Sequence, residues 1–155
     1  MKLHFYQSEL DKHIESYTLT NEQLQFTGIP KESIEFSKTE GNHYPILALE
    51  NDQFVTFFAL HTCEGVEPYS NNANAILIRT FSTAFHHQRK GYAKQALLLI
   101  PEFVTEHFVG INEIILAVNV KNEPAQALYI KCGFVDNGVR VMGSRGELIV
   151  LSYYL

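Results

Sequence analysis

The sequence predicts a mixed α/β (α+β) fold with one central β-sheet, and three observations support that prediction. The chain has 155 residues, a length typical of a single domain with one sizeable core. Patterns of short helices and of strand hairpins precede residue 75, a strand–helix–strand–helix order follows it, and a hairpin pattern comes last. No internal repeat, low-complexity segment or change of composition marks a linker. We therefore expect residues 1–155 to form one domain.

Composition and charge limit the classes of function. Hydrophobic residues make up 46% of the chain and charged residues 19%, as in ordinary globular proteins rather than disordered ones. Twelve basic and seventeen acidic side chains give a net charge of -5, which disfavours binding of nucleic-acid phosphates through a basic face. The same charge mildly favours cationic or neutral substrates. We therefore expect no nucleic-acid partner.

The sequence also carries expectations about location and cysteine chemistry. Residues 1–10 contain no apolar segment of the kind that forms a secretory signal, and no apolar run approaches the roughly 18 residues of a membrane span. Cys63 and Cys132 have neither CxxC spacing nor evident metal partners, which favours two free thiols in a reducing compartment. We therefore expect a cytoplasmic protein with no membrane partner.

Residues 1–74 predict short helices and a pair of antiparallel strands. Thr20 and Gln23 have the spacing of a capping box, in which two reciprocal hydrogen bonds start a helix. Gly28 and Pro30 then end that helix. In chain order, we expect a strand over residues 2–6, short helices over 20–28 and 30–38, strands over 46–50 and 53–61, and a polar loop over 62–74.

Residues 75–155 predict alternating strands and helices before a final hairpin. Pro101 lies inside a long helical pattern and predicts that this helix is kinked or divided in two. Asn122, Pro124 and Gly133 mark the start, the first turn and the end of the next helix. In chain order, we expect a strand over residues 75–83, a helix over 91–108, a strand over 113–118, a helix over 122–133, and a hairpin of strands over 139–143 and 147–155.

Polar and cationic residues are concentrated just before the long helix, in Gln88-Arg89-Lys90. A loop that leads into a helix presents free backbone N–H groups, which together with the helix dipole can bind an anion. Gly91 and Ala93 would let a bulky anion such as a pyrophosphate approach the backbone closely. By itself this is a weak signal, which a solvated loop with a tight turn would also produce, and the loop matches neither G-x-x-x-x-G-K-[ST] nor G-x-G-x-x-G.

Two motifs in register resemble those of the GNAT superfamily of N-acetyltransferases. Residues 88–93 (QRKGYA) are similar to the Q/R-x-x-G-x-G/A signature, with alanine in its last position. The second motif, a strand followed by N-x-x-A-x-x-x-Y-x-x-x-G-F, is matched by Asn122, Ala125, Tyr129, Gly133 and Phe134. The resemblance covers residues 44–155 by motif and spacing, and the first forty residues only by the order of elements.

The resemblance implies the GNAT fold, in which a central, mostly antiparallel sheet is splayed between two parallel strands and flanked by helices. Acetyl-CoA is the implied co-substrate and lies in the gap between those strands. The backbone of the first strand would pair with the pantetheine arm, the loop and helix start would hold the pyrophosphate, and two asparagines would lie at or across the gap. In that order, the implied cofactor-binding residues are Phe81, Ser82 and Thr83; Gln88, Arg89, Lys90, Gly91, Tyr92, Ala93 and Lys94; and Asn119 and Asn122.

The chemistry implied by the resemblance is direct attack of a primary amine on the thioester, with Tyr129 as the general acid for the CoA thiolate. No acyl-enzyme is expected, which agrees with the absence of a G-x-S-x-G motif and of a convincing Cys–His pairing. The general base stays open, because the strand over residues 75–83 carries no carboxylate. Relatives often use a glutamate there; the candidates in this chain are Glu50, His61, Glu64, Glu67 or a chain of water molecules.

Several alternatives accompany the interpretation as an N-acetyltransferase. A GNAT fold without a strand carboxylate could instead be an acyl-CoA-binding sensor. An acetylating toxin acting on charged tRNA would need a basic face, against which the net charge of -5 argues. We expect no metal, because adjacent histidines such as His86 and His87 point in different directions and no third ligand is evident. The amine acceptor, whether a small molecule or a peptide or protein, is not specified, and a homodimer is left open.

Overall fold

The computed structural model describes residues 1–155 and has a single seven-stranded sheet in the order β1-β2-β3-β4-β5-β7-β6. Every neighbouring pair is antiparallel except β4 and β5, which are parallel. The strands are β1 (Lys2–Phe5), β2 (His43–Glu50), β3 (Gln53–His61), β4 (Ala75–Thr83), β5 (Glu113–Asn119), β6 (Val135–Gly143) and β7 (Gly146–Tyr154), and the helices are α1 (Asp11–Ile14), α2 (Asn21–Leu24), α3 (Pro30–Ser37), α4 (Tyr92–His107) and α5 (Glu123–Lys131). The predicted fold class is confirmed.

Local sequence signals set the helix ends. Thr20 and Gln23 form both hydrogen bonds of the predicted capping box, and the side chain of Asn122 caps α5 by accepting from Ala125 N–H. Of the two outcomes expected at Pro101, division of α4 does not occur, because this helix runs through the proline from Tyr92 to His107. Its apolar face, which includes fully buried residues on both sides of the proline, packs on the sheet and offsets the lost backbone hydrogen bond.

Two strands begin earlier than the sequence predicted. β2 starts at His43 and β6 at Val135. In β6, the run Asp136-Asn137-Gly138 consists of residues typical of turns, and it forms an irregularity in the pairing with β7 rather than a loop. Because β6 is an exposed edge strand, this bulge can be accommodated without disrupting the sheet.

The two faces of the sheet pack against different elements, and the residues of β4 alternate between these faces. The largest buried cluster lies on the face covered by α4 and α5 and includes Ile76 and Ile78 of β4 together with Leu97 and Ile100 of α4. Leu77 of β4 belongs to a separate cluster. Since successive residues of a strand point to opposite faces, Leu77 marks the face away from α4.

The parallel strands β4 and β5 separate part-way along their length. They pair only from Ala75 to Ile78 and from Glu113 to Leu116, although both strands continue further. Just after the last pair, Thr80 has a φ of 52°, a left-handed conformation that β-branched residues rarely adopt. The separation leaves the ends of both strands free to border a cavity. None of the helices combines the length and apolarity needed to cross a membrane.

Candidate active site

A cavity of about 770 Å³ opens where β4 and β5 separate. Its walls are residues 22–28 in and after α2, the ends of β4 and β5, the start of α5, and the β6–β7 turn. Of the predicted site residues, Phe81, Ser82, Gln88, Asn119, Asn122 and Tyr129 line this cavity. Thr83 and residues 89–94 adjoin these along the chain but are not part of the wall. A second cavity, of about 620 Å³ between α4 and the end of β7, contains none of the predicted residues.

The loop between β4 and α4 ends in a backbone conformation suited to anion binding. Gly91, the residue before the first turn of α4, has a φ of 81°, and no side chain caps that helix start. The first turn also contains no acidic residue, whereas Lys94 lies in it. An added Cβ at Gly91 would meet nothing within 4 Å, so the space beside this glycine is open. The geometry leaves the donors available to a phosphate group.

The end of β4 is held by the N-terminal segment. The hydroxyl of buried Tyr17 lies 2.7 Å from both the carbonyl oxygen and the hydroxyl of Ser82, and the side-chain amide of Gln23 donates to the carbonyl of Thr83 at 2.7 Å. Two of the three backbone carbonyls expected to meet a pantetheine arm therefore already accept hydrogen bonds within the protein. Thr80 and Phe81 have no register partner on β3 or β5, so the pairing of β4 is irregular at the gap.

On the opposite side of the gap, the two asparagines differ in availability. Asn119 donates from Nδ2 to the carbonyl of Arg145 and accepts from the N–H of Lys121 at Oδ1, so its amide joins the β6–β7 turn to the β5–α5 turn. Gln126 reinforces this arrangement by donating to the carbonyls at the end of β5. Asn122 uses only Oδ1 as the cap of α5, which leaves its amide NH₂ group available at the cavity wall.

Tyr129 is buried in α5, and its side chain reaches the cavity wall. Its ring packs edge-on against Phe81 and Phe134, with centroid distances of 6.1 and 6.2 Å. Burial raises the pKa of the Tyr129 phenol well above its ordinary value, with a smaller contribution from nearby Cys132. The hydroxyl therefore stays protonated at neutral pH and can donate a proton or a hydrogen bond into the cavity.

Comparison with known proteins decides the family. Residues 5–134 match the Acetyltransferase (GNAT) family, which is most of the chain. A protein of Bacillus subtilis (strain 168) named "Uncharacterized N-acetyltransferase YbbJ" is 42% identical over 156 residues, covering 100% of this chain and 98% of that protein. The chain belongs to the GNAT family of acetyltransferases. The resemblance drawn from the two sequence motifs is confirmed.

Solved structures of other GNAT acetyltransferases share the fold at low identity. The aminoglycoside acetyltransferase AAC(6')-Ib in complex with coenzyme A aligns with a TM-score of 0.79 and 13% identity, covering 98% of this chain and 93% of that one. The spermidine N-acetyltransferase of Vibrio cholerae in complex with CoA and spermine aligns with a TM-score of 0.73 and 16% identity, covering 99% and 94%.

None of the four residues considered as a general base lines the cavity of this GNAT protein. Glu50 lies 3.0 Å from the N-terminal ammonium group and is engaged there. Nδ1 of His61 accepts a hydrogen bond from Arg79 at 2.8 Å, and burial, followed by the charge of Arg79, lowers the pKa of His61. The only carboxylate on the wall is that of Glu22. The geometry therefore favours proton removal through solvent.

His61 also belongs to a group of possible metal ligands. Glu40, His61 and Glu64 each place one ligand atom within 4.8 Å of the others. Arginine can only donate, so the contact with Arg79 makes Nδ1 of His61 the acceptor and leaves the proton on Nε2. A protonated Nε2 cannot ligate a metal, and the adjacent guanidinium repels a cation. This group is better suited to hydrogen bonding than to metal binding.

Several residues that shape the site had not been predicted as site residues from the sequence. Tyr17 and Gln23 hold the end of β4, Gln126 fixes the β5–α5 turn, and Arg79 and Arg145 lie on the cavity wall. Only Arg79 had a signal, as the one charged residue of the strand over residues 75–83. The others make contacts to residues distant in sequence or within polar turns, for which no local pattern exists.

Proposed function

We propose that this protein, as a single GNAT domain over residues 1–155, transfers the acetyl group of acetyl-CoA to a primary amine. The amine nitrogen attacks the thioester carbonyl carbon directly, the carbon–sulfur bond breaks, and an amide and CoA form. The amine proton leaves to solvent, and the departing thiolate takes a proton from Tyr129. The observation that carries the proposal is the cavity between β4 and β5, which has the uncapped start of α4 nearby and Tyr129 in its wall.

The cofactor half of the proposal assigns different roles to the predicted binding residues. The backbone N–H groups of residues 89–93, with Lys94, hold the pyrophosphate, and the free amide group of Asn122 donates from across the gap. The N–H of Gln88 already donates to the carbonyl of Phe85 at 3.4 Å, so Gln88 contributes through its side chain at the cavity wall. Phe81, which has no register partner on β3 or β5, pairs with the pantetheine arm through its backbone. Ser82, Thr83 and Asn119 act mainly by holding the walls in place, since their carbonyl or amide groups are engaged within the protein.

The strained backbone at the gap supports the chemical half of the proposal. Negative charge builds on the thioester oxygen during attack, and a fixed N–H donor stabilises it. Thr80 and Phe81 lie in the irregular part of β4, without a register partner, where β4 departs from β5. A left-handed β-branched residue persists only where its surroundings enforce it, and such residues cluster at functional sites. We assign the oxyanion donor to this part of the backbone.

A second candidate function is an acyl-CoA sensor of the same fold that does not transfer the acetyl group. Two observations favour it: strand β4 carries no carboxylate, and the cavity wall carries only one. The fold does not decide between the two, because one fold supports many activities. Both candidates bind acetyl-CoA, and only transfer consumes it.

CoA release separates the two candidates. We expect steady-state release of free thiol from acetyl-CoA when the protein is supplied with a panel of primary amines, including amino acids, diamines, polyamines and a lysine peptide. At least one amine should raise the rate at least tenfold above the rate of acetyl-CoA hydrolysis without acceptor. Retention of acetyl-CoA with no amine-dependent release across the panel would favour the sensor.

A further inference from the structure

We propose that the amine acceptor of this GNAT protein carries a carboxylate or a similar anionic group, which Arg79 and Arg145 bind at the acceptor end of the cavity. The acceptor end is the part bordered by residues 22–28 and by the β6–β7 turn. This inference rests on the proposed acetyl transfer and specifies the class of substrate.

The charge of the cavity wall is opposite to that of the whole chain. Among the residues that line the cavity, three are cationic, Arg79, Lys121 and Arg145, and one is acidic, Glu22, which is a net +2 from three minus one. The chain as a whole has a net charge of -5. None of the three cations has a carboxylate oxygen within 4.0 Å, since the ion pairs of the protein all involve other groups. Unneutralised cations in a cavity favour an anionic ligand.

Arg79 is fixed without being neutralised. Its Nη1 donates to Nδ1 of His61 at 2.8 Å, and its guanidinium carbon lies 5.6 Å from the centre of the Phe36 ring. The carboxylate of Glu64 approaches the other ring nitrogen of His61 at 3.8 Å rather than the guanidinium. One of the five N–H donors of this planar guanidinium is bonded to a neutral acceptor. The other donors can form a two-point contact with a carboxylate.

Arg145 approaches from a different wall and is also fixed. Its Nη1 donates to the carbonyl of Leu24 at 2.6 Å, a contact that joins the β6–β7 turn to the end of α2. Its own carbonyl accepts from Asn119 at 3.0 Å. The other guanidinium donors of Arg145 have no carboxylate partner and lie at the edge of the same cavity.

Arg79 lies on the opposite face of the sheet from the expected site of the cofactor phosphates. Arg79 follows Leu77 by two residues on β4, so both side chains leave the sheet on the face away from α4. The phosphates are expected at the start of α4, where residues 88–93 lie. Lys121 precedes Asn122 on the cofactor side and is therefore not assigned to the acceptor.

The same charges suit a neutral amine nucleophile. Cationic groups near a bound amine lower its pKa, because they disfavour the ammonium form that cannot attack the thioester. A cavity with two fixed arginines therefore assists deprotonation although β4 carries no carboxylate base. It also disfavours polycations such as spermine, which is the ligand in the V. cholerae spermidine N-acetyltransferase structure.

Matched acceptors test the inference. The probes are β-alanine, 4-aminobutanoate, 6-aminohexanoate and several α-amino acids, each paired with its uncharged amide. For at least one pair, we expect kcat/KM for the acid to exceed that for the amide about tenfold or more, a difference of ~1.4 kcal/mol. Arg79→Gln and Arg145→Gln should each reduce that ratio about tenfold, and Arg79→Lys should retain part of it.

Arg140→Gln is the matched control, because Arg140 lies on the edge strand β6 in an exposed pair with Asp136 and outside the cavity. It should keep the wild-type ratio. The ratio of acid to amide is measured within one protein sample, so a partly unfolded variant does not alter it. Preference for the amides or for diamines, or an unchanged ratio in both arginine variants, would overturn the inference while leaving acetyl transfer intact. Failure of every acid, amide and amine to release CoA would overturn the transfer itself.

Discussion

Replacing Tyr129 by Phe is expected to lower kcat about 10- to 100-fold while the affinity for acetyl-CoA stays nearly unchanged. The substitution removes only the hydroxyl and keeps the ring, whose packing against Phe81 and Phe134 should preserve the fold. A CoA thiol has a pKa near the value of about 8.5 for free cysteine, so the thiolate is a fair leaving group. Protonation of the thiolate then helps the reaction without being indispensable, which sets the modest size of the effect.

The pH dependence provides a further check on Tyr129. Because burial raises the pKa of this phenol above its ordinary value near 10, the acid form persists throughout the range from neutral pH to about pH 10. If deprotonation of Tyr129 slowed the reaction below pH 10, the rate of the wild type would fall at alkaline pH and the rate of Tyr129→Phe would not. We expect no such difference between the two pH profiles below about pH 10. Tyr44→Phe removes the same atom from a tyrosine packed on Phe5 and Phe108, outside the cavity, and should leave kcat unchanged.

Two outcomes would remove Tyr129 from the catalytic role. If Tyr129→Phe turns over at the wild-type rate with a good acceptor, another group protonates the thiolate. If the affinity for acetyl-CoA falls together with the rate, the hydroxyl binds the cofactor. Neither result would alter the assignment of the fold or the family.

The second large effect concerns Gly91. Gly91→Val is expected to weaken acetyl-CoA binding about tenfold or more, because a side chain there would occupy the space that the phosphates need in front of the helix start. Gly110→Val is the matched control: Gly110 also has a positive φ, 88° against 81°, and an added Cβ at either position meets nothing within 4 Å. The two substitutions should therefore carry similar backbone strain of about 1–2 kcal/mol.

The comparison between the two glycine variants isolates the binding effect from the loss of stability. Both melting temperatures should fall by similar amounts, whereas the dissociation constant for acetyl-CoA, measured by calorimetry, should rise only in Gly91→Val. Normal cofactor binding by Gly91→Val would show that residues 88–93 form a plain connection between β4 and α4.

The features that could be predicted from the sequence are those specified by neighbouring residues. The capping box of Thr20 and Gln23 and the cap at Asn122 depend on spacings of three residues, and both form as expected. The two motifs that carried the family resemblance are likewise continuous stretches. The sequence left open whether Pro101 divides α4, because the packing of α4 on the sheet, rather than local propensity, keeps the helix continuous.

The contacts that shape the cavity join residues far apart in the chain. Tyr17 reaches Ser82 across 65 residues, and Arg145 reaches Leu24 across 121. Such contacts follow from the order of strands in the sheet, which no local pattern encodes. The charge of the cavity wall depends on the fold in the same way: the net charge of -5 sums over the whole chain, whereas the residues that line the cavity include three cations and one carboxylate.

A single-turnover experiment tests the central claim most directly. The protein is mixed with a smaller amount of acetyl-CoA and then with an excess of an accepted amine, and acetylated amine, CoA and intact-protein mass are followed in time. Direct transfer in a ternary complex predicts that acetylated amine and CoA appear together at one rate, with no acetylated protein at any time. Release of CoA before the amide forms, accompanied by an acetylated protein, would contradict direct attack at the cavity between β4 and β5.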